Sequence, residues 1–455
     1  MTLRHALALA FLVGFGAAAA GAGVPAARFA QTTGDEPHYL LTARSLAEDG
    51  DLDLRDELAA DRYRDFHAAD LDPQAKPLDD GSLVAPHDPL LPALLAGPLA
   101  AGGWLAAKLV LALLAGALAS LLVWTAVRRL GVPVRHALTA VLLFAASAPL
   151  AVYGTQVYPE LPAALAVTAA AAGLGAPVAV IALPWLSVKY VVVAAVLGVL
   201  TLRRRWWLLG VYAGAAVVFV VAHKLWYGGW TPYAAGDHFV GGELTAVGHD
   251  PNYVGRSRRL LGLLVDREFG LAAWQPAWLL VVPALAAVLV RRPPWWKTVA
   301  LPLAAGWLVA TFVALTMHGW WFPGRQLVVV LPLAVLAIAW WAQEHSRLLT
   351  GLAAIGVATY AFLVFEGYWG GVTWVVDFYE TDNPWYLVWR HALPSFADET
   401  ARTWLLAGAW ALALAAYAYT VTLRACGRSD TRAPRCTTSV DGRWATRRMS
   451  PTRTR

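Results

Sequence analysis

The chain has few cysteines and few charged residues for its length. Only two of its 455 residues are cysteine, Cys426 and Cys436, and both lie in the terminal tail. The sequence therefore excludes a disulfide framework. Charged residues make up 15% of the chain, against about 25% in an average soluble domain. This composition excludes an ordinary soluble globular protein of the same length.

Apolar residues take the place of the missing charge. Hydrophobic residues form 58% of the sequence, and the mean hydropathy is +0.52. Stretches of about 20 apolar residues recur, and each is long enough to cross a hydrocarbon core of roughly 30 Å. The sequence therefore predicts an all-α polytopic membrane protein in a lipid bilayer. The net charge of +6 does not indicate a nucleic-acid partner, because the arginines are distributed by membrane topology.

Clusters of basic residues predict which loops face the cytoplasm. They occur at 128–135, 203–205, 291–297 and 347, and the tail from Arg424 carries nine arginines. Residues 24–88 have the opposite character, with 15 of the 30 acidic residues and only six basic ones. We therefore expect a multi-pass protein of the cytoplasmic membrane, with residues 24–88 outside and the tail inside.

Counting between these markers predicts about 12 transmembrane helices. Residues 1–24 are expected to form the first helix; the run resembles a signal peptide, and we favour an uncleaved signal anchor because many spans follow. Residues 25–103 are expected to form an outer loop, 104–424 the multi-span domain and 425–455 a basic, disordered cytoplasmic tail. The later spans are expected near 104–127, 137–153, 160–174, 206–226, 271–290, 298–317, 327–342, 348–365 and 403–423. Between Gln156 and Arg203 three short crossings fit, with breaks near Gly175 and at LPWLSVKY.

The outer loop begins with two adjacent acids, Asp35 and Glu36, at the water–lipid boundary. Apolar residues follow at helical spacing over 40–47, which predicts a helix lying along the interface. The segment Ala85–Gly103 is too rich in proline and too short for a comfortable span, so a second interfacial helix is predicted there. The acidic pair is thus expected between a transmembrane helix and amphipathic helices.

Several motifs along the chain together resemble the GT-C superfamily of integral membrane glycosyltransferases, which includes protein mannosyltransferases and the aminoarabinose transferase of lipid A. The motifs are the Asp35–Glu36 pair, HDPLLP, YGTQVYPELPAAL, LPWLSVKY, LLVDREFGLAAW and GWWFPGRQLVVVLP. Each motif is weak alone, and their order from Thr33 to about Pro332 carries the resemblance. We expect no counterpart of the large soluble C-terminal domain that some relatives add.

The resemblance implies an inverting enzyme that takes a sugar from a polyprenyl-phosphate donor in the outer leaflet. The acceptor would be a glycan, a lipid or a protein of the cell envelope. Its hydroxyl must lose a proton as it attacks, which requires a carboxylate within hydrogen-bond reach. By this resemblance Asp35 is the candidate base, and Glu36 would orient it, bind the acceptor or help hold a metal. The alternative is that both are solvated loop acids.

Cations are expected near the leaving phosphate, which gains negative charge as the glycosidic bond breaks. The candidates are Arg325, Lys189 and Arg267. Each has a simpler alternative, because long basic side chains also snorkel to the interface or form local ion pairs. Arg267 in particular has an acidic residue on either side.

A second acid and a metal site are also considered. Glu160 starts a span, where an acid suits the helix dipole, but the family pattern suggests an active-site acid facing Asp35. His87 is a further candidate on the acceptor side. A divalent metal bound by Asp35, Glu160 and His318 stays open, because no ligand spacing is diagnostic.

Two other function classes remain at this point. A transporter or lipid-linked-sugar flippase would also place charges at membrane depth, and a non-catalytic scaffold of a cell-envelope complex would need no active site. Transporters usually have short loops, whereas the first outer loop here is long and densely acidic. The sequence therefore favours the glycosyltransferase.

Overall fold

The computed structural model describes residues 1–203, 205–237 and 250–427, and helices dominate this part of the chain. The same residues hold three isolated β-bridges and no longer strand. The all-α prediction is therefore confirmed for the described residues. Arg204, Cys436 and the predicted tail beyond residue 427 lie outside them.

The helices fall into an N-terminal and a C-terminal series. The first series is α1 (Leu3–Ala20), α2 (Glu36–Glu48), α3 (Arg55–Ala59), α4 (Leu90–Arg128), α5 (Val134–Ala145), α6 (Leu150–Tyr153), α7 (Glu160–Ala172), α8 (Ala176–Leu186), α9 (Val191–Leu202) and α10 (Leu208–Tyr227). The second series is α11 (Tyr253–Arg256), α12 (Arg259–Val265), α13 (Leu271–Trp274), α14 (Val281–Arg291), α15 (Trp296–Leu308), α16 (Leu331–Trp341), α17 (Ser346–Tyr368), α18 (Pro384–Trp389) and α19 (Ala401–Gly427).

Among the described residues, six helices are long and apolar enough to cross a membrane: α1, α4, α10, α15 with the π-helical turn that follows it, α17 and α19. Six shorter apolar helices of 10–17 residues accompany them: α5, α7, α8, α9, α14 and α16. This set is compatible with a polytopic membrane protein. The number of crossings, the membrane and the sidedness stay predictions.

Helices α1 and α4 pack closely because both present small residues. The buried positions of α1 recur every four residues and are Ala6, Ala10, Gly14 and Ala18. A Cβ atom added to Gly14 would lie 2.9 Å from the Cβ of Ala119, and one added to Gly116 would lie 2.8 Å from the Phe11 carbonyl oxygen. Small residues let helix backbones approach in this way, so α1 is fixed against α4.

Helix α4 bends where the predicted outer loop ends. Gly102 and Gly103 have non-helical backbone angles, and Gly103 has a φ of +66°. The kink separates the proline-containing segment that starts at Leu90 from the long apolar segment that starts near Trp104. The end of the outer loop at residue 103 stays a prediction.

Helix α2 is present where the sequence predicts it, but protein covers much of it. Its first two turns are buried, and the helix packs on α4. Leu40, Leu41 and Ala43 are fully buried, whereas Ala47 at the far end is exposed. The beginning of α2 is thus held rigidly, and the residue before it is Asp35.

Three short helices occupy 160–202, as the predicted breaks require. Gly173 and Gly175 have left-handed backbone angles between α7 and α8. Ser187 is extended, and a 3₁₀ turn at Val188–Tyr190 joins α8 to α9. Lys189 therefore lies on a break between two helices.

The predicted span at 271–290 differs from the structure, which breaks it after α13. Gln275 is extended and a 3₁₀ turn at Pro276–Leu280 precedes α14. Proline lacks the N–H that would continue the helix. The Gln275 side-chain oxygen accepts a hydrogen bond from the Ala277 N–H at 3.2 Å, which satisfies one backbone donor at the break.

Candidate active site

Four charged side chains from distant parts of the sequence form one ion-paired network, here named the charged cluster: Asp35, Glu160, Lys189 and Arg325. Arg325 Nη2 lies 2.5 Å from Asp35 Oδ2, and Arg325 Nε lies 3.2 Å from Glu160 Oε1. Lys189 Nζ lies 2.6 Å from the same Glu160 oxygen. The structure thus brings together the candidate base, the candidate second acid and two of the three candidate cations.

Each member of the charged cluster lies where a helix begins or breaks. Asp35 precedes α2, Glu160 is the first residue of α7, and Lys189 lies in the turn between α8 and α9. Arg325 starts a short 3₁₀ turn that leads into α16, which is buried along nearly its whole length. Interrupted helices place polar side chains at membrane depth beside protein instead of lipid.

Gly324 allows the turn that presents Arg325. Its φ is +88°, a region that side-chain-bearing residues rarely adopt. A Cβ atom here would lie 2.8 Å from the Leu271 Cδ2 atom and 3.0 Å from the Pro149 Cγ atom. The glycine is therefore required both by backbone conformation and by close packing.

The charged cluster has an open side and a closed side. The side chain of Glu160 is fully buried and that of Arg325 is 9% exposed. The side chains of Asp35 and Lys189 are 26% and 21% exposed. A ligand that approaches the cluster therefore meets Asp35 and Lys189 first, with Arg325 and Glu160 behind them.

The electrostatic surroundings keep Asp35 ionised. Burial by itself would raise its pKa, but the Arg325 guanidinium more than offsets this effect. The pKa of Asp35 therefore lies well below its usual range. A carboxylate held in this way is a weak base for as long as the ion pair with Arg325 persists.

His87 lies beside Asp35 as a neutral imidazole. Its ring stacks on Tyr39 with a centroid distance of 4.5 Å, and the His38 ring lies 6.0 Å away. Burial lowers the pKa of His87 to about 4, so the ring is uncharged at neutral pH. Its Nε2 atom has no hydrogen-bond partner among the described residues and can therefore meet a ligand hydroxyl.

Two tyrosines that the sequence analysis did not single out line the cluster. The Tyr158 ring centroid lies 4.0 Å from the Arg325 Cζ atom, and the Tyr190 ring centroid lies 5.3 Å from Lys189 Nζ. Within the described ranges, neither tyrosine hydroxyl has a hydrogen-bond partner, and nor does Glu160 Oε2. Buried polar atoms are usually paired, so these atoms are suited to a polar ligand. The sequence offered one clue to these tyrosines, because each lies one or two positions from a charged residue that was already a candidate.

Glu36 faces away from the charged cluster into the protein. It is fully buried, and its Oε1 accepts a hydrogen bond from the Val157 N–H at 2.8 Å. Its Oε2 accepts from the Thr33 N–H at 3.2 Å. Both carboxylate oxygens are thus used to tie the loop before Asp35 to the loop before α7. Of the roles expected for Glu36, this geometry favours positioning.

A buried pair, Asp88 and His223, fixes the turn that carries Lys189. Asp88 Oδ2 accepts a hydrogen bond from the Val188 N–H at 2.8 Å, and Asp88 Oδ1 lies 3.0 Å from His223 Nε2. His223 Nδ1 in turn lies 2.8 Å from the Phe219 carbonyl oxygen of α10. Asp88 belongs to the HDPLLP motif, but the sequence analysis assigned it no role.

Arg267 and His318 lie at a second place. The Arg267 N–H donates to the Pro394 carbonyl oxygen at 2.8 Å, and His318 Nε2 lies 3.5 Å from Asp266 Oδ1. Within the part of the chain that the structure describes, no ion pair or hydrogen bond joins either side chain to the charged cluster. The structure therefore does not bring these two candidates together with Asp35.

The three metal candidates do not form one ligand set. Arg325 joins Asp35 to Glu160, and His318 lies beside Asp266 instead. In the described ranges, the group of three acids or histidines whose ligand atoms all lie within 4.8 Å of one another is Asp49, Asp56 and Glu57. A metal at Asp35 stays a prediction.

An apolar groove of about 500 Å³ runs between α8, α9 and α10. Pro184, Trp185 and Val191, on the two sides of the turn that carries Lys189, help to line it. Its other walls are mainly aliphatic side chains. A hydrocarbon chain fits this lining, which includes residues on both sides of the turn that carries Lys189.

No protein-family model, curated protein or solved structure matches this chain. The resemblance to the GT-C superfamily therefore stays an interpretation of the sequence motifs. The function proposed below therefore depends on the geometry of the charged cluster.

Proposed function

We propose that this protein is an integral membrane glycosyltransferase. It transfers a sugar from a polyprenyl-phosphate donor to a hydroxyl acceptor on the outer face of the cytoplasmic membrane, with inversion. The observation that supports this best is the position of Arg325 between Asp35 and Glu160. A candidate base and a candidate phosphate-binding cation thus lie in one site, and a transfer from a phosphate uses both.

The donor is expected to bind from the open side of the charged cluster. Its hydrocarbon chain would lie in the apolar groove beside the Lys189 turn, and its phosphate would reach Lys189 and then Arg325. Two cations and two carboxylates make the empty cluster neutral. The phosphate must therefore compete with carboxylates for the cations, and arginine suits this role because it can bind phosphate through two parallel hydrogen bonds.

This competition prepares Asp35 for catalysis. When Arg325 turns to the donor phosphate, its ion pair with Asp35 weakens and the pKa of Asp35 rises toward its ordinary range. The carboxylate is then free to accept a proton from the acceptor. Donor binding and activation of the base are thus coupled through one guanidinium.

The transfer keeps the charge of the site constant. The acceptor oxygen forms a bond to the anomeric carbon, the bond from that carbon to the phosphate oxygen breaks, and its electron pair stays on the phosphate. The acceptor proton passes to Asp35, which becomes neutral as the phosphate gains one negative charge. Arg325 and Lys189 stabilise the charge that develops on the leaving group.

The sugar and the acceptor would contact the unpaired polar atoms around the cluster. The Tyr158 and Tyr190 hydroxyls and His87 Nε2 are buried without partners among the described residues. Sugar hydroxyls offer both donors and acceptors to such atoms, and aromatic faces pack against sugar rings. These three residues are therefore expected to position the substrates and not to transfer protons.

The decisive experiment uses the purified full chain in detergent with a panel of polyprenyl-phosphate sugars labelled in the sugar. Transfer or release of label that depends on the protein, and is lost in Asp35→Asn, would support the proposal. A flippase would instead move the labelled lipid across a vesicle membrane with its glycosidic bond intact. Translocation without bond cleavage for every donor would overturn the proposal.

A further inference from the structure

A second group of acids, here named the acidic trio, lies at the opposite end of α2 from Asp35. It consists of Asp49, Asp56 and Glu57, and one ligand atom of each lies within 4.8 Å of the others. The 13-residue helix α2 separates this place from Asp35 by about 20 Å. Three carboxylates this close repel one another unless a cation or a proton lies between them.

Glu57 is the member that points to a ligand. It is 3% exposed, and neither of its carboxylate oxygens has a hydrogen-bond partner among the described residues. Burying a carboxyl group without a hydrogen-bond or ionic partner costs free energy. A group that would pair with Glu57 is therefore missing from its surroundings among the described residues.

The neighbouring arginines do not supply that group. Arg55 pairs with Asp53 at 2.6 Å, and Arg62 pairs with Glu48 at 2.7 Å. Arg44 pairs with Asp65 at 2.7 Å. In the described ranges no basic side chain forms an ion pair with any member of the acidic trio, although three are close in sequence.

We propose that Asp49, Asp56 and Glu57 bind one hard divalent cation, of which Ca²⁺ is the best fit. All their ligand atoms are oxygens, which suits Ca²⁺, and the trio lacks the cysteine and histidine ligands that Zn²⁺ prefers. Two oxygens bound to one Ca²⁺ at about 2.4 Å are at most about 4.8 Å apart, so the spacing fits. Loop carbonyls and water would supply the remaining ligands.

The cation would act as a structural clamp. Asp49 caps the end of α2, whereas Asp56 and Glu57 lie in α3. A cation between them would join the two helices and hold the outer loop that carries Asp35. This site does not depend on the proposed transferase activity and can be tested without a sugar substrate.

The test is a CaCl₂ titration of the purified full chain by calorimetry after chelator treatment, with thermal unfolding as a second readout. We expect one site with a Kd of about 10⁻⁵ to 10⁻³ M and a melting temperature that rises by about 2 to 8 °C at saturation. ZnCl₂ should not reproduce the effect at equal concentration. Asp49→Asn and Glu57→Gln should lose both signals.

The matched control is Asp70→Asn, which removes one negative charge from the same loop. Asp70 is exposed and pairs with Arg64 at 2.7 Å, so this variant should bind Ca²⁺ like the parent. Absence of saturable binding by the parent up to about 10 mM CaCl₂ would overturn the proposal. An unchanged Ca²⁺ response in Asp49→Asn, whose exposed position should tolerate the change, would overturn it equally.

Discussion

The charged cluster and the acidic trio lie near opposite ends of α2, and their carboxylates have opposite surroundings. In the charged cluster two carboxylates face two cations, and one of these, Arg325, lies 290 positions from Asp35 in the sequence. The acidic trio comes from nine consecutive residues and faces no basic partner among the described residues. In the charged cluster, tertiary packing places the carboxylates beside basic side chains of the same chain. The acidic trio is local in sequence, and under our proposal its cation comes from solution.

The largest expected effect is the loss of activity on substitution of Asp35 in the charged cluster, compared with substitution of Asp49 in the acidic trio. Asp35→Asn keeps the shape of the side chain but removes the proton acceptor. Since general-base catalysis contributes about 10²- to 10⁴-fold, kcat should fall by that factor while donor binding persists. Asp49→Asn should lower kcat far less, because the acidic trio holds the loop and does not accept the proton. Equal losses in both variants would mean that the two groups do not differ in function.

Substitution of Arg325 tests whether the cation of the charged cluster serves the donor. Arg325→Ala should lower kcat/KM by about 10²- to 10³-fold, because it removes a preorganised donor to the leaving phosphate. Arg325→Lys should restore only part of this, since lysine cannot reproduce two parallel hydrogen bonds. Near-parent kinetics in both folded variants would make Arg325 an interfacial anchor.

Neutralising one acid in each group should affect the free energy of unfolding differently. Glu160→Gln leaves Arg325 and Lys189 without a buried carboxylate, and breaking a buried pair costs about 3 kcal/mol. Glu57→Gln, measured in chelator, removes a charge from an uncompensated trio and should leave stability unchanged or increased. Thermal unfolding of both variants against the parent checks this. Destabilisation by both would show that Glu57 has a partner in the folded protein.

The pH profile should reveal the opening of the ion pair. The profile of kcat/KM reports the free enzyme, in which Arg325 holds the pKa of Asp35 well below its usual range. The profile of kcat reports the donor complex, in which the pair is proposed to be open. Activity should be lost as pH falls through the pKa of Asp35, and this loss should begin at higher pH in kcat than in kcat/KM. Coincident acid limbs would argue against coupling between donor binding and the base.

The smallest effect is expected at Arg267, the candidate cation that lies outside the charged cluster. Lys189→Gln should weaken donor use more than Arg267→Gln, because only Lys189 pairs with Glu160. For Arg267→Gln the change should stay within about 0.5 kcal/mol, or roughly twofold, as for substitutions away from special features. Donor titration of both variants gives the comparison. A larger loss at Arg267 would extend the site toward Asp266 and His318.

Helix ends were the most predictable part of the fold, because local chemistry sets them. Gly102 and Gly103 break α4 where the predicted boundary falls, and Gly173 and Gly175 separate α7 from α8. The break at Gln275 was missed, although the proline that follows it removes a backbone donor. The stretch 271–290 is apolar over most of its length, so its composition predicts one continuous span and does not reveal a break of a single turn.

The sequence motifs named the residue types of the candidate site, but they did not show which of the named residues lie together. Asp35, Glu160, Lys189 and Arg325 were all named from motifs, and the structure brings them together. The same motifs gave no means to separate Arg267 from Lys189, because both are basic residues beside an apolar run. The structure separates them through their partners, since Lys189 pairs with Glu160 and the Arg267 backbone pairs with Pro394.

The sequence by itself determined the apolar helical character, the acidic character of residues 24–88 and the glycine breaks, because these follow from composition and from interactions between near neighbours. Tertiary structure alone decided that one guanidinium joins Asp35 to Glu160, that Glu36 faces inward and that Asp88 supports the Lys189 turn. Ion pairs depend steeply on distance, within a few ångströms. Distances of that scale between residues hundreds of positions apart are set by how helices pack, which no local pattern specifies.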